Sequence, residues 1–108
     1  MPNTFKNYHA KNAGTSATTV FTGPAATQST VIGMTVANVS NNNINVDVFL
    51  TVGGVDYYLV KGAMVPVGGA LVPIGGDQKV VVEAGDLVRV QSSAASSADV
   101  NISVLEIS

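Results

Sequence analysis

The chain has no cysteine and no tryptophan, and among its 108 residues there is one histidine, His9. Without cysteine there are no disulfides and no thiolate metal sites, and one imidazole cannot close a zinc site. A Ser-His-Asp site needs a base beside its nucleophile, and His9 lies in a polar terminal stretch, away from any G-x-S-x-G. Charge is scarce too: 11% of residues are charged, against about a quarter in an ordinary soluble domain. Lys6, Lys11, Lys61, Lys79 and Arg89 are scattered, so the clustered basic footprint of a nucleic-acid binder is missing. No apolar run reaches the length of a membrane span, and the N-terminus lacks the apolar core of a secretory signal. The expectations are therefore no enzyme, no cofactor, no nucleic-acid partner and no membrane partner.

What is present is alternation. Ile44-Asn45-Val46-Asp47-Val48-Phe49-Leu50-Thr51-Val52 runs into Gly53-Gly54 and resumes as Val55-Asp56-Tyr57-Tyr58-Leu59-Val60. This is the pattern of a β-hairpin. A two-residue loop fixes the pairs outward from it: Val52 with Val55, Leu50 with Tyr57 and Val48 with Leu59 on the core face. Thr51 with Asp56, Phe49 with Tyr58 and Asp47 with Val60 fall on the outer face. An aromatic pair, Phe49 and Tyr58, thus lands on the face expected to be wet.

Other strands are expected at Thr18–Thr22, Thr30–Ser40, Gln78–Val82, Leu87–Gln91 and Asp99–Ile107. Within the second, Ile32, Met34 and Val36 share one face, and Gly33 suggests a bulge or close approach. Ser40-Asn41-Asn42-Asn43 reads as a turn in which Asn tolerates positive φ. The stretch 64–76 is apolar but broken by Pro66, Pro73 and glycines, so it reads as an edge strand or wide loop followed by a turn at 75–77. Ser92–Ala98 reads as an exposed small-residue tip. In the last strand Val100, Ile102 and Val104 point inward, which leaves Leu105 and Ile107 on the outer phase unless a bulge resets it. Asp77, Glu83 and Asp86 are close in sequence without a calcium-loop pattern. Asp56, Asp77, Glu83, Asp86 and Asp99 fall at turns and strand ends, where carboxylates cap and solvate.

The fold class that follows is all-β: a single antiparallel β-sandwich of about eight strands, jelly-roll-like or Ig-like, with an extended N-terminal arm. Residues 1–16 are the arm and residues 17–108 the sandwich. Candidate contact residues are the arm anchors Phe5 and Tyr8, the pair Phe49 and Tyr58, Val65 and Leu71 in the apolar edge segment, and the out-of-phase Leu105 and Ile107.

Three segments in order carry a resemblance: Thr18-Thr19-Val20-Phe21-Thr22-Gly23-Pro24-Ala25, Val36-Ala37-Asn38-Val39-Ser40, and Val82-Glu83-Ala84-Gly85-Asp86-Leu87-Val88-Arg89-Val90. Over residues 17–107 the chain resembles small β-sandwich structural proteins of tailed bacteriophages, such as those of cyanobacterial phages. That resemblance implies a virion component made in the host cytoplasm, with no active site to carry over. It implies a homo-oligomer, with a trimer expected, bound to the major capsid protein or other virion proteins as decoration or cement. A tail, baseplate or fibre role is the alternative. A carbohydrate-binding module on Phe49, Tyr57 and Tyr58 is a more distant one.

Overall fold

The computed structural model describes residues 3–75 and 79–107. Among them every regular element is a strand: β1 (Asn3–Ala13), β2 (Thr18–Thr22), β3 (Gln28–Asn38), β4 (Ile44–Val52), β5 (Val55–Val65), β6 (Ala70–Ile74), β7 (Val80–Val82), β8 (Leu87–Ser92) and β9 (Ala98–Ile107). The expected turn at 75–77 falls largely outside the described residues.

The architecture grows from one turn. Gly53 and Gly54 both have positive φ, at 58° and 82°, as a type I′ hairpin turn requires. From there β4 pairs with β5, β3 with both β6 and β7, β2 with β8, and β1 with β9, all antiparallel. β6 and β7 meet different stretches of β3, so they act as one interrupted strand. The chain is thus a single long hairpin, folded about residues 53–54 and rolled up. Rolling lays β9 against β3 and β8 against β4. Two sheets result: β1-β9-β3-β6, with β7 also on β3, and β2-β8-β4-β5. This is the strand order of a jelly roll, not of an Ig-like sandwich.

Between the sheets lies an aliphatic core built on Val31, Met34, Val36, Ile44, Val46, Val48, Val88, Val90, Ile102 and Val104, with Phe21 its one fully buried ring. Burial of each such side chain contributes about 1.5–3 kcal/mol. β-branched residues dominate because they suit a pleated, half-buried surface.

Several expectations are corrected. Residues 3–13 are not a loose arm: β1 runs along β9 from Asn3↔Ile107 to Ala13↔Ala98. Polar composition hid this strand, because an edge strand exposed on most of its length needs few apolar residues. In β3, Ile32 is the bulged residue, between Val31↔Val104 and Gly33↔Ser103. The bulge puts Val31 with Met34 and Val36 in the core and leaves Ile32 half-buried. In β5, extra residues at Leu59 and again before Ala63 shift the hairpin register, so Val48 faces Val60 instead of Leu59. The second shift is fastened by the Gly62 N–H, which donates to Asp47 Oδ1 at 2.7 Å. Among the described non-glycine residues, positive φ occurs at Asn12, Ala26 and Ser96 and not in the 40–43 turn. There the buried Asn38 amide does the work, donating to Asn42 O at 2.8 Å and Val65 O at 3.0 Å. Finally, the 92–98 loop is exposed at Ser93, Ala95 and Ser96, as expected, but is fastened at its base. Ser92 and Ser97 are buried with their hydroxyls 2.5 Å apart, and the Ser97 N–H donates to Ala13 O.

Candidate contact surfaces

β9 alternates without interruption, so Leu105 and Ile107 keep the outward phase and Glu106 takes the inward one. Cross-strand pairing then lines up Phe5, Leu105, Thr30 and Val81 in one row on the outer face of the first sheet, across β1, β9, β3 and β7. Side chains directly opposite one another share a face. Phe5 is 73% exposed and Val81 64%, while Leu105 and Ile107 are half-buried. Two depressions flank the row. One of about 550 Å³ is lined by Phe5, Asn7, Ile32 and Ser103 among others. The second, about 360 Å³, lies between the 26–28 segment, Val81, Ala84 and Ile107. Further along the same face His9 bridges Asn101 Oδ1 (2.6 Å) and Asn7 Oδ1 (3.0 Å). At its far end Lys11 pairs with Asp99 at 3.3 Å. The Asn12 backbone N–H, followed by Lys11, holds the Asp99 carboxyl below its ordinary range.

The outer face of the second sheet carries a different cluster. Phe49 and Tyr58 are paired as the hairpin register predicts, with ring centroids 5.1 Å apart. Phe49, however, is 1% exposed. Tyr58 covers it on one side, and the Arg89 guanidinium stands 5.9 Å from its ring centroid. Lys61 Nζ lies 4.2 Å from the centre of the Tyr58 ring, within cation–π range. The Thr51 hydroxyl donates to Asp56 at 2.7 Å beside them. Tyr57 and Tyr58 are both exposed but point to opposite faces of β5. With Phe49 buried, the three aromatics do not form one platform for a sugar ring.

A buried polar group that the sequence reading did not single out sits at the inward position of Glu106, which is 6% exposed. The Tyr8 hydroxyl donates to Glu106 Oε2, and Lys6 Nζ lies 3.5 Å from Oε1. Opposite Glu106 on β3 is Ser29, whose buried hydroxyl oxygen has no partner. The Tyr8 ring packs on Phe21 at 4.6 Å. Desolvation, then the hydrogen bond and negative charge of Glu106, push the Tyr8 phenol up to about 12. The signal for this group is the inward phase of Glu106 itself, a carboxylate where the alternation calls for an apolar residue.

The structure therefore divides the expected contact residues. Phe5, Leu105 and Ile107 share one outer face, and Tyr58 is exposed on the other. Phe49 and Val65 are corrected to buried, at 1% each. Leu71 and Tyr8 are corrected to core-packing residues, because their pairs on β3 and β9, Val36 and Ile102, point inward. Asp86, considered above beside Glu83 for calcium, caps its own turn by accepting the Glu83 N–H at 3.1 Å. No family model, no curated protein and no solved structure matches the chain.

Proposed function

We propose that this chain is a structural protein of a tailed-bacteriophage virion, bound to the capsid as decoration or cement. It works by burying surface against its neighbours, with no catalytic step. The observation that carries the reading is the outer face of the β1-β9-β3 sheet. There Phe5, Leu105 and Ile107 form an apolar strip, with Val81 beyond Thr30 and lining one depression with Ile107, on a protein whose polar residues are otherwise mostly uncharged. Apolar strips of this kind mark association sites. The rolled hairpin suits the task, since jelly rolls recur in capsid proteins. The resemblance of residues 17–107 to phage sandwich proteins points the same way.

The test is to locate the chain in purified virions, by mass spectrometry of the particles and by density in particle reconstructions. Copies on the capsid exterior are expected. Density on the tail or baseplate would move the protein to that organelle. Its absence from particles, with abundant protein free in the lysate, would end the virion reading.

A further inference from the structure

We infer that the outer face of the β1-β9-β3 sheet is a self-association surface, occupied by the same face of a second copy related by a two-fold axis. The inference rests on reading the chain as a structural protein that works by contact.

Three observations select a second copy. The first is charge. Outward positions on β1, β9 and β3 are Phe5, Asn7, His9 and Lys11, then Asp99 to Ile107 at every second residue, then Gln28, Thr30, Gly33, Thr35 and Ala37. The ionic groups among them are Lys11 and Asp99, which pair with each other at 3.3 Å, and at the margins Lys6 and Glu83, one of each sign, line the two depressions. Such a face presents no net charge to its own copy, whereas a chain of net charge −2 would otherwise repel itself. A two-fold contact requires this self-complementarity, because each side meets itself.

The second is shape. Gly33, Ser103 and Ala37 are small, and a Cβ added at Gly33 would meet nothing within 4 Å. Small side chains beside an apolar row let two sheets approach to about 10 Å, the ordinary spacing of stacked sheets. With the axis near Leu105, the row Phe5-Leu105-Thr30-Val81 of one copy lies over that of the other.

The third is area. Four strand positions at about 4.8 Å and ten residues at about 3.3 Å give a flat footprint of about 600 Å². Side-chain relief raises that toward the about 800 Å² per partner of a stable interface.

The test uses the full chain in sedimentation velocity over a range of concentrations. A species of twice the 11.0 kDa chain mass is expected. Val81→Lys places a cation at a 64% exposed position and leaves the core untouched. It should weaken the dimer at least tenfold with an unchanged circular dichroism spectrum and melting temperature, and Thr30→Arg should do the same. Met64→Lys, at a 63% exposed position on the other sheet, should leave the dimer intact. A monomer at high concentration, a trimer, or a dimer indifferent to both Val81→Lys and Thr30→Arg would overturn the inference. A monomer that binds particles through this face would assign the face to the shell instead, and would also overturn it. Presence or absence in virions is read separately. A dimer absent from particles refutes the virion role alone, and a monomer present in particles refutes the dimer alone.

Discussion

Two residues show how tightly the roll is fastened. Tyr8 was expected to anchor on a neighbour, yet it spends its ring on Phe21 and its hydroxyl on Glu106. Its phenol is raised to about 12 in the folded chain, against about 10 in the unfolded one. The folded state therefore holds this proton more tightly. The stabilisation is fully present below about pH 10 and is lost as pH rises through about 12. Absorbance titration of the tyrosines should show one ionisation near pH 12, missing in Tyr8→Phe. A wild-type curve identical to that of the variant would rule out the buried hydrogen bond. Gly23 is fastened by backbone: its N–H donates to Asp86 O at 2.9 Å and its carbonyl accepts from the Gly85 N–H at 3.0 Å. A Cβ there would stand 2.1 Å from the Glu83 carbonyl oxygen. Gly23→Ala must push the 83–86 turn away, and should cost about 1–3 kcal/mol, as overpacking does. Urea denaturation would measure it, and a midpoint equal to wild type would show that the turn yields freely.

At the scale of elements, β1 decides between an appendage and a structural member. It pairs with β9 over its whole length, and through Tyr8 it covers one side of Phe21. Deleting residues 1–12 would strip the edge from β9, leave Glu106 without Tyr8 and Lys6, and open Phe21 to water. The truncated chain should melt well below wild type in circular dichroism, or fail to accumulate as soluble protein. An unchanged melting temperature would restore these residues to the status of an arm. The same elements explain what could be read in advance. The Gly53-Gly54 hairpin, Thr18–Thr22 and the inward Val100, Ile102 and Val104 were legible because alternation and turn chemistry are local, although Val52, Val55 and Tyr57, expected on the core face, are exposed at the hairpin's end. β1 was not, because a mostly exposed edge strand carries no apolar signature. The bulge at Ile32 was flagged by the adjacent Gly33, whereas the one at Leu59 was not, because it depends on what the partner strand does. The contact surface was half legible. Leu105 and Ile107 announced themselves by phase, but only cross-strand pairing brings Phe5 and Val81 beside them. The burial of Phe49 depends on Arg89, 40 residues away in sequence.

At the scale of the whole molecule, the nested order makes sequence distance a measure of folding difficulty. β4 and β5 are joined by two residues, whereas Asn3 pairs with Ile107. Each shell of the roll closes a longer loop than the one inside it, at a rising entropic cost. Chains dominated by such distant pairs fold in milliseconds to seconds, and this one belongs among them. The local hairpin is the natural start and the β1–β9 pair the natural end. Changes at the two places should then act on different rates. Gly54→Ala, at a φ of 82°, destabilises the turn and should slow refolding with little effect on unfolding. Tyr8→Phe, on the last pair, should speed unfolding and leave refolding near wild type. Stopped-flow measurements of both variants in urea would separate the limbs. If Tyr8→Phe slowed refolding as much as Gly54→Ala, the outer strands would already be paired in the transition state, and the roll would close as a whole instead of from its centre outward.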